Sequence, residues 1–154
     1  MTVKQLQTSN VKSVSPDTDL AVVAKLMWDG DCGAVPVVTD DRKVVGIITD
    51  RDICIASATR SRPPAEIRAS EVIGKGNGVH AVKPDDDVRV ALRTMRKHRV
   101  RRLPVVDRDQ RLTGIVSLND LAINSSPSLP DSVPAQELLE TFQAICAHEK
   151  NAVV

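Results

Sequence analysis

The sequence predicts an α/β (α+β) fold of two tandem βαββα repeats packed about a pseudo-twofold, with a further helix toward the C-terminus. Three observations predict it. The phrase Gly46-Ile47-Ile48-Thr49-Asp50-Arg51-Asp52 returns as Gly114-Ile115-Val116-Ser117-Leu118-Asn119-Asp120, an offset of 114 − 46 = 68 residues. The same offset, without a gap, places Pro16, Asp17, Asp19, Val22, Met27, Pro36, Val37, Val38, Asp41 and Ile55 on identical residues, far more matches than chance supplies. Within each copy the apolar residues switch between helical and strand spacing in the same order. The period is too long for a solenoid unit, so two half-domains are the simpler arrangement.

Each copy opens with a short apolar run, residues 11–14 and 79–82, read as a strand and closed by Pro16-Asp17 or Pro84-Asp85. A helix follows. Leu20, Val23, Ala24 and Met27, and their counterparts Val88, Ala91, Leu92 and Met95, fall at i, i+3, i+4 and i+7, one buried stripe per helix. The Asp85-Asp86-Asp87 cluster reads as a helix start rather than a metal site, because acids favour the positive end of the helix dipole. Two β-branched runs come next, residues 35–39 and 43–48 around Asp40-Asp41-Arg42, then 103–106 and 111–116 around Asp107-Arg108-Asp109-Gln110; polar turns between apolar runs read as hairpins. A second helix begins at the repeated phrase, with Thr49 or Ser117 at its N-cap and Ile53 and Ile55, or Leu121 and Ile123, as apolar anchors.

These elements divide the chain into a first repeat at 1–58, a linker at 59–68 containing Pro63-Pro64, a second repeat at 69–124, a Pro/Ser linker at 125–133 and a C-terminal helix at 134–149. The stripe Leu138, Leu139, Phe142, Ile145 and Cys146 on that helix needs a surface to cover, on its own body or on a second subunit. Trp28, beside the first helical stripe, is expected in the core or at an interface.

With 154 residues and 42% hydrophobic content the chain can bury a core without staples. A net charge of +1 gives no global field for nucleic acid or an anionic membrane. Cys32, Cys54 and Cys146 are odd in number and lack ligand spacing, which fits reduced thiols; no apolar stretch is long enough to span a membrane, and the N-terminus has no signal-peptide core. The expectation is a cytoplasmic protein. Catalysis is not expected: no nucleophile and base order, metal spacing or dinucleotide fingerprint occurs, residues 74–78 lack phosphate-loop spacing, and His80, His98 and His148 are scattered.

Two tandem βαββα units carrying hP-V-V (Pro36-Val37-Val38; Pro104-Val105-Val106) and G-h-x-[TS]-x-x-D resemble a pair of cystathionine-β-synthase (CBS) domains, the Bateman module. The resemblance covers about residues 1 to 124, including the opening segment Val3-Lys4-Gln5-Leu6, echoed by Ala69-Ser70-Glu71-Val72-Ile73. In the absence of an attached enzyme or channel, the chain is similar to small stand-alone bacterial CBS-pair proteins, some linked to stress or hypoxia. The resemblance implies energy, redox-state or stress sensing through an adenine ligand (AMP, ADP, ATP, NAD or S-adenosylmethionine), two clefts between the repeats, a homodimer and an unknown effector protein, with no metal required. It also implies that Asp52 and Asp120 bind ribose and that Thr49 and Ser117 contact ribose or phosphate. Adenine would lie against Ser13, Val14, Ala34 and Val35 in one copy and Ala81, Val82, Arg102 and Leu103 in the other.

The chemistry of these residues agrees. A carboxylate accepts two hydrogen bonds from a cis-diol, which suits ribose. Thr49 and Ser117, with the exposed backbone N–H groups that begin each helix, suit phosphate. The alternative is that all four residues are helix caps. Arg51 adds a cation beside the first site, where the second has Asn119; Arg99 and Arg102, from the basic run Arg93 to Arg102, are candidates to replace it. One Trp, one Phe and no Tyr leave adenine to aliphatic and main-chain contacts. Two other functions compete: nucleic-acid binding through the Arg93–Arg102 run, without the aromatic platforms that single-strand binders add, and a ligand-free interaction scaffold.

Overall fold

A computed structural model describes residues 1–74, 78–126 and 131–147. Lys75, Gly76 and Asn77 of the glycine run, residues 127–130 of the Pro/Ser linker, and His148 and Glu149 of the expected C-terminal helix lie outside the described residues. The elements are α1 (Leu20–Asp29), β1 (Ala34–Val38), β2 (Val44–Thr49) and α2 (Asp50–Arg60), then α3 (Val88–His98), β3 (Arg102–Val106), β4 (Leu112–Ser117) and α4 (Leu118–Ile123), and finally α5 (Ala135–Cys146). The chain forms two compact units, one of Asn10–Val79 with Asp107–Leu112, the other of Met1–Ser9, His80–Val106 and Thr113–Val154.

The units depart from the sequence repeats at the opening segments. Met1–Ser9 is folded onto the second copy: the amides of Val3 and Lys4 donate to the carbonyls of Asp86 and Pro84 (2.9 Å each), and Thr8 and Ile115 exchange bonds of 2.9 and 3.1 Å. The turn Ala69–Glu71 sits likewise on the first copy, with Ala69 and Ser70 donating to Thr18 and Pro16 at 2.8 Å. The glycine of the repeated phrase permits this approach. A Cβ on Gly114 would lie 2.8 Å from the Thr8 carbonyl oxygen, and one on Gly46 would lie 2.4 Å from Ile73 Cγ2.

β1 pairs antiparallel with β2 from Ala34↔Thr49 to Val38↔Val44, with an irregularity between Val37 and Val38, and β3 pairs with β4. The strands expected at 11–14 and 79–82 shrink to single parallel bridges, Val14↔Val37 and Val82↔Val105. Proline is the reason. Val14 donates to Pro36 O (3.0 Å) and accepts from Val38 N (2.8 Å). The ladder could continue only through the amides of Pro36 on one side and Pro16 on the other, and neither has an N–H. Pro104 and Pro84 stop the second copy in the same way.

Each unit has its own core. Val88, Ala91, Leu92 and Met95 are all buried, as are Leu20, Val23 and Met27, while Ala24 packs half-buried against the same cluster. Asp19 and Asp87 cap the two helices by accepting from Val22 N (3.0 Å) and Arg89 N (2.9 Å). Of the expected anchors, Ile53 and Leu121 are buried, but Ile55 and Ile123 are exposed. Residues two apart on a helix point about 200° apart, so both could not face one core. Trp28 is not a core residue either: it lies one position past buried Met27, turned about 100° away, and is 87% exposed.

α5 packs on α3 and α4 in the second unit, placing Leu138 and Ile145 against its core and burying Thr141. Ion pairs Arg89–Glu137 (3.0 Å) and Arg96–Glu140 (2.7 Å) border the contact. Leu139 and Phe142 remain half exposed and Cys146 exposed, so the expected stripe divides between two sides of the helix.

Candidate functional site

β2 runs straight into α2, and Thr49 at the junction is extended (φ −109°, ψ 162°), which makes it the N-cap. Its amide and hydroxyl both donate to Asp52 Oδ2 at 2.8 Å, and its Oγ1 accepts from Asp52 N at 3.3 Å. The second copy repeats this reciprocal box: Ser117 N and Oγ donate to Asp120 Oδ2 at 2.7 and 2.6 Å, and Asp120 N donates back at 3.2 Å. The four residues are therefore helix caps. Only one carboxylate oxygen is engaged in each box, and the other takes no hydrogen bond among the described residues.

Most of the helix-start amides expected to be exposed for phosphate are engaged. In α2, Asp50 N donates to Gly33 O (3.4 Å), Arg51 N to Asp50 Oδ1 (2.8 Å) and Asp52 N to Thr49 Oγ1. In α4, Leu118 N donates to Arg101 O at 2.8 Å. A phosphate at the start of α2 has to displace one of these bonds, whereas at the start of α4 the Asn119 amide has no partner among the described residues.

The sheet register brings the first set of candidate residues into one unit, with Ala34 opposite Thr49, Val35 opposite Ile48 and Val14 bridged to Val37. Ala81, Val82, Leu103, Ser117 and Asp120 gather in the other unit, with Val82 bridged to Val105. The side chains of Val14, Val35, Val82 and Leu103 are buried in the two cores, and the backbone N–H and C=O of Val14 and Val82 are engaged in their bridges; Ser13, Ala81 and Arg102 are half-buried. Arg51 is exposed, and Arg99 is the left-handed C-cap of α3 (φ 53°), also exposed. Among the described residues none of Arg51, Arg99 and Arg102 is in an ion pair.

Two features escaped the sequence. His80 and His98 are stacked, ring centroids 3.4 Å apart, beside the residues assigned to the second site. Burial, then the neighbouring His80 and Lys97, hold the His98 imidazole below its ordinary value of 6.5. No spacing signal joins the two histidines, which only the fold brings together. In the first unit an open hollow of about 430 Å³ lies between the end of α1 and the start of α2, lined by Met27, Trp28, Asp31, Cys32, Asp50 and Ile53 among others, and it includes none of the expected binding residues.

The CBS domain model matches the sequence twice, over residues 3–59 and 70–126. The chain belongs to the CBS domain family. It is similar to the CBS domain-containing protein YhcV of Bacillus subtilis, with 36% identity over 79% of this chain and 84% of that one. Among solved structures it resembles Hypoxic Response Protein I with two coordinated zinc ions (30% identity, TM-score 0.73, covering 82% of this chain and 100% of that one). It also resembles the CBS domain pair of protein MJ0100 in complex with 5′-methylthioadenosine and S-adenosyl-L-methionine (25% identity, TM-score 0.71, 80% and 94% covered). In this CBS pair no three His, Cys, Asp or Glu side chains are grouped so that they could hold a metal ion among the described residues, and no described helix is long and apolar enough to cross a membrane.

Proposed function

We propose that this CBS pair is a regulatory protein that binds an adenine-containing ligand and signals without catalysis, as a cytoplasmic homodimer acting on a separate effector. One observation carries the proposal: both repeats hold a carboxylate in the same box with one oxygen uncommitted, Asp52 and Asp120. That oxygen is free to accept from a ribose diol while the other keeps the helix capped. The adenine ligands of MJ0100 support the ligand class. Arg51 gives the first site a cation for a phosphorylated ligand, and Arg99 and Arg102 serve the second. Differential affinity for two arrangements of the module converts binding into a signal, about 2.7 kcal/mol at 100 times the dissociation constant.

Native mass spectrometry of freshly purified protein, followed by melting with AMP, ADP, ATP, NAD and S-adenosylmethionine, tests it. A retained adenine ligand, or a raised melting temperature with at least one of the five, is expected. If no such mass is found and no compound shifts melting, adenine sensing is wrong.

A further inference from the structure

Because the chain duplicates itself, the ends of α1 and α3 can be compared position by position. Both turn through a left-handed residue, Asp31 (φ 46°) and Arg99 (φ 53°), at the repeat offset of 99 − 31 = 68, so the backbone is alike and the side chains differ. α3 closes on Arg96, Lys97, His98 and Arg99; the matching residues at the end of α1 are Trp28, Asp29, Gly30 and Asp31. Cations complement the negative end of a helix dipole, and carboxylates oppose it. The first copy thus sets an indole and two acids where the second has cations.

This end of α1 borders the hollow of about 430 Å³, a volume that suits a small molecule. Buried Met27 and Ile53 and half-buried Ala24 give it an apolar lining, Trp28, 87% exposed, adds an aromatic ring, and Asp31 and Asp50 add two carboxylates. Among the described residues no cationic side chain lines it, and neither carboxylate is in an ion pair. Asp50 commits one oxygen to the Arg51 amide (2.8 Å), and the exposed Arg51 side chain does not line the hollow. The one cation of α1, Lys25, is held by both oxygens of Asp29 at 3.2 and 3.0 Å. Negative charge and an aromatic ring therefore meet at an apolar surface with no counter-charge of their own.

We propose that this hollow binds a small organic cation, an ammonium group on an apolar body, with Asp31, Asp50 and the Trp28 indole answering the charge and Ala24, Met27 and Ile53 receiving the body. Tryptophan is the best aromatic partner for such a cation. An anion would meet two carboxylates, and among the described residues no three ligating side chains are grouped to hold a bare metal ion. The hollow lies within one compact unit and shares no residue with the positions assigned to adenine, ribose or phosphate, so the proposal is independent of the function proposed above.

Trp28 is the single tryptophan, so the site reports on itself. The full chain is titrated with choline and, separately, with 3,3-dimethylbutan-1-ol, its neutral isostere, at an ionic strength held constant with sodium chloride. Tryptophan emission is followed in both, and dialysis equilibrium with radiolabelled choline gives a readout that needs no tryptophan. Choline should produce a saturable change with half-saturation below about 10 mM, and the isostere should bind about fivefold more weakly or less. Asp31→Asn and Asp50→Asn should each weaken choline by about fivefold, with wild-type circular dichroism and melting because both residues are exposed. Trp28→Leu, read by dialysis, should weaken it by about two- to fivefold. If Asp50→Asn disturbs the start of α2, Asp31→Asn carries the charge test alone.

No saturable choline binding up to about 10 mM overturns the site. Equal binding of choline and its neutral isostere overturns the cation and leaves an apolar hollow. Unchanged choline affinity in a folded Asp31→Asn chain places the bound cation elsewhere and also overturns the proposal.

Discussion

Exchanging Asp52 for alanine and, separately, for asparagine distinguishes its cap role from its ligand role. Oδ2 accepts two hydrogen bonds from Thr49, each 2.8 Å, in a half-buried setting. Asp52→Ala removes both. Loss of such a cap costs about 0.5–2 kcal/mol, and two net bonds of about 0.5–1.5 kcal/mol each agree with the upper half of that range. We expect about 1–2 kcal/mol, seen as a fall of about 2–8 °C in Tm for a chain of this size. Asp52→Asn keeps an oxygen to accept both bonds and loses only the charge at the helix start, about 0.3–1 kcal/mol.

Ligand reads the second role. At 100 Kd the wild type gains about 2.7 kcal/mol. Loss of one charge-assisted contact, about 1.5–3 kcal/mol, reduces that gain to about 0.3–1.3 kcal/mol in Asp52→Asn. Urea unfolding of the three proteins with and without a ligand found to bind supplies both numbers. If Asp52→Asn keeps the full ligand gain while Asp52→Ala loses stability, Asp52 is a cap only and the ribose role is refuted.

Two further outcomes test the fold around the sites. Gly114→Ala places a Cβ 2.8 Å from the Thr8 carbonyl, backbone that cannot yield without breaking the Thr8–Ile115 pair. A loss of about 1–3 kcal/mol is expected, with hydrogen exchange accelerated first at Thr8 and Ile115. Acid should loosen the histidine stack. Because the folded His98 is held below 6.5, the unfolded chain takes the proton first; the stabilisation is complete above about pH 6.5 and is lost as pH falls through the folded value. Urea midpoints across that window should fall in wild type and flatten in His98→Gln.

Much of this was legible in the chain because the signals were local or repeated. The stripe of α3 is buried at all four expected positions, and both caps lie at the expected Thr49 and Ser117. The prolines that end the leading strands were also in plain view, but their effect depends on which partner each missing amide would have had, a matter of register. The misplaced anchors Ile55, Ile123 and Trp28 are side chains whose composition suits a core and whose angle on the helix does not. The site was less legible than the fold. Thr49 and Asp52 advertise hydroxyl and carboxylate chemistry, but the engagement of the amides beside them follows from the approach of Gly33 and Arg101, which no spacing encodes.

The sequence by itself determined the duplication, the order of elements, the two capping boxes and the CBS family, because periodicity, caps and repeats are properties of neighbours along one chain. Only the tertiary structure decided that the opening segments exchange between the copies, that His80 meets His98, and that α5 covers α3 with one side of its stripe and leaves the other bare. Each of those is a contact between residues distant in sequence, fixed by shape, by hydrogen-bond register and by which surface is left unburied.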